Sequence, residues 1–282
     1  MPHYHPLTSI IIPVFNQLKY TQMCIQSILL HTDIPYEIIV VNNASTDGTK
    51  QYLGTLKNIV TINNTENLGF SRAVNQGIKE AKGSYIVVLN NDTLVTEGWL
   101  RRLITHTERE RTLGIVAPMT NYVGTPQLDR DSISLQPDNI NRYVKERIEK
   151  NGSEIFYFPR VAAIAILIRR EVIEKVGLFS EDYGLGNYED DDFCLRTLNA
   201  GFNIGIAKDV FIYHFGSQTF IGNNINHKEW MDRNRIVFLK KWGDNPFLFY
   251  MKTKFSQSSI KPLISVILPT YNSPPILLKE AM

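Results

Sequence analysis

Runs of β-branched and aliphatic residues that lack polar alternation recur through the first third of the chain: Ser9–Val14 (SIIIPV), Glu37–Val41 (EIIVV) and Tyr85–Leu89 (YIVVL). A strand with one face in water alternates apolar and polar side chains. These do not, so both of their faces must be covered, as in a parallel sheet packed between helices. Asn58–Ile62 adds a further short strand. Between the strands, Leu18–Leu30 and Ser71–Ala81 carry apolar residues at helical spacing. Asp47-Gly48 marks a turn into a short helix, and Gly83 closes the second long one. This βαβ alternation predicts an α/β, Rossmann-like fold: a mostly parallel central sheet with helices on both faces.

The second half is less regular. Residues 97–111 read as a helix, Gly114–Ala117 as a strand, 120–138 as a loop rich in Thr, Gly, Pro and Asp, and Asn139–Lys150 as an amphipathic helix. Val161–Ile168 reads as a buried strand, Asp190–Ala200 as a helix ended by Gly201, and Asp209–Tyr213 as a strand. A last helix, from about His227 to Lys241, places Trp230, Val237 and Phe238 on one face.

Open parallel sheets bind ligands beyond the carboxyl ends of their strands. Four polar clusters fall at such ends: Phe15-Asn16, Asn42-Asn43-Ala44-Ser45-Thr46-Asp47, Asn90-Asn91-Asp92, and Glu189-Asp190-Asp191-Asp192 after a glycine-bearing loop. Their gathering at one edge points to a ligand cleft.

The segments "SIIIPVFN", "EIIVVNNASTDGT", "ENLGFSRAVNQGIKEAKGSYIVVLNNDT", "GLGNYEDDDFCLRTLNAGF" and "VFIYHFGSQTF" follow one another over roughly residues 7–243. Each is a weak signal alone, but the ordered set resembles the inverting family 2 glycosyltransferases of GT-A fold. The resemblance implies transfer of a sugar from a nucleoside diphosphate to an acceptor hydroxyl. "LNNDT" matches the family's Asp-X-Asp position, where a divalent cation, Mn²⁺ or Mg²⁺, bridges the donor phosphates. Asp92 supplies one carboxylate there, and Asn90 stands where the family pattern has the first Asp. His214, in "YHFGS", matches a metal-ligating position. The family's Glu-Asp pair maps to Glu189-Asp190, with Asp190 as the candidate general base, Glu189 as the second choice, and Asp192 as a capping or positioning group.

Pro13, Phe15 and Asn16 resemble the residues that cradle the nucleobase. Asn42 stands where an Asp often accepts from the base, and its carbonyl is still an acceptor. Asp47 and Asn91 complete the expected donor contacts, and Arg72 reads equally as a phosphate contact or a surface salt bridge. A UDP- or dTDP-sugar is favoured. Gly184-Leu185-Gly186-Asn187 reads equally as a mobile lid or a plain turn, and Trp242 as core rather than a sugar platform. The implied partners are the nucleotide-sugar and a glycan or glycoprotein acceptor, with bacterial surface polysaccharide or protein glycosylation as the setting.

Crowding of four acids predicts that at least one has a raised pKa. As a helix cap alone the cluster is over-supplied, because one or two acids complement a helix dipole. The rival readings are a catalytically inactive glycosyltransferase-like scaffold, a sugar nucleotidyltransferase, and a dinucleotide-binding oxidoreductase. "PVFNQLKY" after the first strand carries neither the Gly-rich, Arg-containing loop of the second nor the G-x-G-x-x-G of the third.

At 282 residues the chain suffices for one sizeable α/β domain. A formal net charge of +2 gives no basis for binding nucleic acid, and Arg169-Arg170 and Lys240-Lys241 read as solvated pairs. Cys24 and Cys194 lie in apolar surroundings, which reads as buried thiols in a reduced, cytoplasmic protein. Val161–Ile168, the longest apolar run, falls far short of the ~20 residues of a membrane helix, and no signal peptide precedes "SIIIPV".

"PLTSIIIPVFN" (Pro6–Asn16) returns near the other end as "PLISVILPTYN" (Pro262–Asn272), identical at six of the eleven positions. Residues 1–250 are therefore expected to form a glycosyltransferase domain and 251–261 a polar linker, with 262–282 beginning a second such domain.

Overall fold

The chain enters the sheet through β1 (Thr8–Val14) and returns after α1 (Leu18–His31) as β2 (Tyr36–Asn42), parallel to it with Ile10 opposite Ile38 and Val14 opposite Asn42. In this computed structural model, residues 6–216, 218 and 227–255 are described. α2 (Thr49–Thr55) leads to β3 (Ile59–Asn63), and α3 (Phe70–Glu80) crosses back so that β4 (Tyr85–Leu89) pairs with the free side of β1. Next come β5 (Thr93–Leu94), α4 (Trp99–Arg109), β6 (Leu113–Met119), α5 (Ile140–Asn151), β7 (Ile155–Tyr157), β8 (Ala165–Arg169) and α6 (Arg170–Val176). α7 (Glu189–Asn199), β9 (Asn203–Phe211), β10 (Tyr213–His214), α8 (His227–Trp242) and α9 (Phe247–Phe255) follow.

The main sheet has the order β3-β2-β1-β4-β8-β6-β9-β7. β8 runs against both β4 and β6, and β7 runs against β9; the remaining six strands share one direction. The expected mostly parallel sheet with flanking helices is what the chain forms. Ile10 and Ile12 of β1 join Cys24, Ile25 and Ile28 of α1 and Trp99 and Leu103 of α4 in one cluster. Ile11 points to the opposite face, against α3 at Gly77, where a Cβ would stand 2.4 Å from Ile11 Cγ2. Cover on both sides explains the missing alternation. Cys24 and Cys194 are free and buried, and burial pushes the Cys24 thiol up to about 12.

Three boundaries differ from expectation. The strand expected at Val161–Ile168 begins at Ala165; the residues before it form a lead-in whose Ile164 carbonyl accepts from Asn90 N–H at 2.8 Å. The strand expected at Asp209–Tyr213 begins at Asn203 and stops at Phe211, and Tyr213–His214 pair separately with β5. β5, β7 and β10 are two or three residues long, too short to show a period.

Residues through Phe247 make one compact unit, and a second begins at Leu248. The described part of the second, residues 248–255, is helical, so α9 runs into the expected linker. The repeated motif at 262–272 lies outside the described residues. Among the described residues no helix is long and apolar enough to cross a membrane.

Candidate active site

The turns after β1 and β2 are laced together by the polar residues that the sequence marks. Asn16 and Gln17 take positive φ (57° and 66°), which swings the chain from β1 into α1. Asn16 N–H donates to Ser45 Oγ at 2.8 Å, and Asn16 Oδ1 accepts from Thr46 N–H at 2.7 Å. Asp47 Oδ2 accepts from Leu18 N–H at 2.8 Å at the start of α1, while Oδ1 accepts from Thr49. Burial works against the charged Asp47, but the hydrogen bonds from Thr49 and Leu18 outweigh it and hold the carboxyl below its ordinary range.

The structure places the expected donor-site residues unevenly around the cleft. Asn16 and Asp47 brace the turns and do not line the cleft. Asn42 is 1% exposed, donates to Asn63 Oδ1 at 2.8 Å and accepts from Ser45 N–H at 3.0 Å; its neighbour Asn43 faces the cleft instead. Arg72 pairs with Glu181 at 3.0 Å on the surface, away from the lining, because α3 turns its side chain toward the 181–183 turn. Asn91 reaches the lining, but its amide donates to Thr21 Oγ1 of α1 at 2.9 Å. Pro13 and Phe15 lie on the cleft as expected.

Beyond β4 the chain turns through Asn90-Asn91-Asp92 into the β5–β10 ribbon, whose register sets His214 opposite Thr93, next to Asp92. His214 Nε2 lies 3.2 Å from Asp92 Oδ1, and both side chains are almost fully buried. Nδ1 is 2.8 Å from the Tyr122 carbonyl. In the neutral tautomer Nδ1–H donates there, leaving the Nε2 lone pair aimed at Asp92. No well-oriented hydrogen bond satisfies Nε2. Burial disfavours the imidazolium, but the Asp92 carboxylate and the Tyr122 carbonyl outweigh it and hold the ring above its ordinary value.

The four acids open α7. Asp192 is completely buried and accepts from Arg196, Lys241 and Trp242 Nε1, with Tyr183 OH at 3.4 Å. Burial opposes its charge, but these donors hold the carboxyl below its ordinary range. Trp242, through Nε1, is therefore engaged with Asp192. Asp191 is ion-paired with Arg160; burial and then the Asp190 charge raise it to about 7. Asp190 faces the cleft, with Oδ1 accepting from Asp191 N–H at 2.8 Å and Oδ2 from Ala163 N–H at 3.2 Å. Among the described residues it has no ion-pair partner. Glu189 is 6% exposed; burial first, then the charge of Asp190, holds its carboxyl well above 4.5.

These parts border one cleft of about 730 Å³, within the usual range for a ligand site. Its wall is closed by two loops in contact: a Cβ on Gly69 (φ +85°) would sit 2.1 Å from the Gly184 carbonyl oxygen. Asn234 of α8, fully buried, donates to the carbonyls of Tyr183, Gly186 and Asn187. The Gly184–Asn187 segment is thus a tethered turn.

Residues 9–177 match the sequence profile of Glycosyl transferase family 2. The chain belongs to this family. As a family 2 glycosyltransferase it is 28% identical over 218 residues to the glycosyltransferase AglE of Haloferax volcanii, covering 74% of this chain and 67% of that protein. It is 33% identical over 185 residues to an uncharacterized glycosyltransferase of Rickettsia typhi, covering 63% and 55%. The chain thus spans about half to two thirds of these relatives. Among solved structures, the mannosyltransferase PcManGT of Pyrobaculum calidifontis, in complex with GDP-Man and Mn²⁺, superposes with a TM-score of 0.56 at 21% identity, over 76% of this chain and 58% of that one. TarS residues 1–349 of S. aureus, with UDP-GlcNAc, give 0.53 at 18% identity, over 73% and 57%. These likenesses show the GT-A fold.

Sequence reasoning held Asn43 only as a member of the Asn42–Asp47 cluster, and missed Arg160 on the cleft and Asn234 behind its wall. Asn234 had a usable signal: it sits four residues from both Trp230 and Phe238, on the face read as buried. Arg160 had none, since its place beside Asp191 depends on a contact across the fold.

Proposed function

We propose that the chain transfers a sugar from a nucleoside-diphosphate-sugar to an acceptor hydroxyl with inversion, assisted by a divalent cation and with Asp190 as general base. The observation that carries this is the convergence of Asp190 and the Asp92–His214 pair on one cleft. Inversion by direct displacement needs a base to take the acceptor proton as the new bond forms. Asp190 suits that role: it lines the cleft, and two backbone N–H groups fix its carboxylate.

The buried Nε2 of His214 and the adjacent carboxylate fit a cation site, with Asn90 as a neutral oxygen ligand. Nδ1–H on the Tyr122 carbonyl fixes the ring for that purpose. Such a cation, Mn²⁺ or Mg²⁺, offsets the charge that builds on the departing diphosphate. Pro13, Phe15 and Asn43 form the nucleotide side, with Asn16, Asn42 and Asp47 holding its turns and Asn91 holding α1. A UDP- or dTDP-sugar is the favoured donor. The acceptor is a glycan or glycoprotein, in a cytoplasmic step of surface polysaccharide or protein glycosylation. The meeting of Asp190 and the Asp92–His214 pair on one cleft favours turnover over an inactive scaffold.

The test is calorimetric binding of UDP, dTDP and GDP, each with and without Mn²⁺, to this chain and to Asp92→Ala. Metal-dependent binding of one nucleotide, weakened at least about tenfold in the variant, is the expected result. Binding of none by the folded protein defeats the proposal.

A further inference from the structure

Glu189 differs from every other acid at the start of α7. Asp192 has Arg196, Lys241, Trp242 and Tyr183 around it, Asp191 has Arg160, and Asp190 has two backbone N–H groups. Glu189 is buried like Asp191 and Asp192, yet its Oε2 has no hydrogen-bond partner and no cation pairs with it among the described residues. A buried carboxylate without a partner is costly, and a purely structural acid acquires partners, as Asp192 has. A buried polar atom that the fold leaves without a partner at the edge of a cleft can be satisfied by what the cleft binds.

We propose that Glu189 meets the transferred sugar as an uncharged carboxylic acid, its hydroxyl donating to one sugar oxygen and its carbonyl accepting from a sugar hydroxyl. The inference rests on the nucleotide-sugar reading of the cleft. An ionised Glu189 would stand next to Asp190 and Asp191 with only Arg160 nearby, and that guanidinium is already paired to Asp191. Burial and the Asp190 charge both favour the protonated form. A protonated carboxyl offers a donor and an acceptor side by side, which suits neighbouring oxygens of a sugar. The carboxyl also lies on the donor side. A Cβ on Gly186 would be 4.0 Å from both Glu189 oxygens and 3.5 Å from Phe70 Cβ, and Phe70 opens α3 beside Gly69 in the nucleotide half.

The assignment separates two adjacent acids by charge. Asp190 takes a proton from the acceptor; Glu189 neither takes nor gives one over the cycle and grips the donor sugar.

Two measurements test it. The infrared spectrum of the whole chain at neutral pH is expected to contain a protonated-carboxyl C=O band that shifts when glutamate alone is ¹³C-labelled and disappears in Glu189→Gln. The labelling arm uses the unsubstituted protein, so it decides even if a variant misfolds. Absence of a glutamate-dependent band, or its persistence in a folded Glu189→Gln, overturns the proposal. The second measurement is calorimetric binding of UDP, UDP-glucose and UDP-N-acetylglucosamine with Mn²⁺. The gain in affinity contributed by the sugar is expected to fall about tenfold in Glu189→Ala and only a few-fold in Glu189→Gln, whose amide still donates and accepts. A glutamine variant as weak as the alanine one, a gain unaltered in the alanine variant, or no sugar-dependent gain at all overturns it. Loss of UDP binding itself counts against the donor reading, and the infrared result then decides for Glu189.

Discussion

Four adjacent carboxylates cannot all stay ionised without cost, and at the start of α7 each is handled separately. Asp192 is locked into a cationic pocket, Asp191 is held by Arg160, burial and the Asp190 charge drive Glu189 toward its protonated form, and Asp190 faces the cleft without an ion-pair partner among the described residues. Replacing Asp190 by Asn is expected to lower turnover by about 100- to 10,000-fold while nucleotide binding persists; steady-state rates beside calorimetry check this. The raised Glu189 also has a consequence for stability. Its protonated form contributes stability that is complete below 4.5 and is lost as pH rises through the higher folded value. Glutamine does not titrate, so the melting temperature of Glu189→Gln relative to the parent is expected to climb as pH rises above 4.5. A flat difference would place the folded pKa at its ordinary value. At this scale much of the candidate site was legible, since Asp92, His214, Asp190 and Glu189 each lie in a recognisable motif and all reach the cleft. Asn42 and Asn43 were not separable, because both are buried at a strand end and only the packed turn decides which one borders the cleft.

At the scale of elements, the core strands could be read because cover on both faces writes itself into composition. β9 was misplaced because Gly205 and Lys208 interrupt its apolar run and because β7, its edge partner, is too short to register. The loop at 120–138 had no readable pattern, yet it is firmly anchored. Asp129, buried, accepts from Tyr143 and pairs with Arg147, both on α5, while its backbone N–H donates to the Thr120 carbonyl at 2.8 Å. Arg147→Met would leave Asp129 buried without its cation, at a cost of about 3 kcal/mol. Urea unfolding should report that loss, and limited proteolysis should find new cleavage within 120–138. If both are unchanged, the loop is held by Gln127, which bridges it to Ala162.

For the molecule as a whole, the sheet sets the order in which protection is lost. β1 and β4 lie inside the sheet with both faces covered, while β3 and β7 are its edges. Amide hydrogen exchange is therefore expected to be slowest in β1, β4 and β8 and faster in β3 and β7; the opposite order would contradict the topology. The reversed β8 has a further effect. It starts where β4 and β6 finish, so the segment from Thr120 to Ile164 departs from and returns to a single rim of the sheet. Ala162, Ala163 and Arg160 reach the acids from that segment, whereas the Asp92 turn comes from the other half. A chain built this way can change the parts of that segment outside β7 without moving the strands that hold the Asp92 turn.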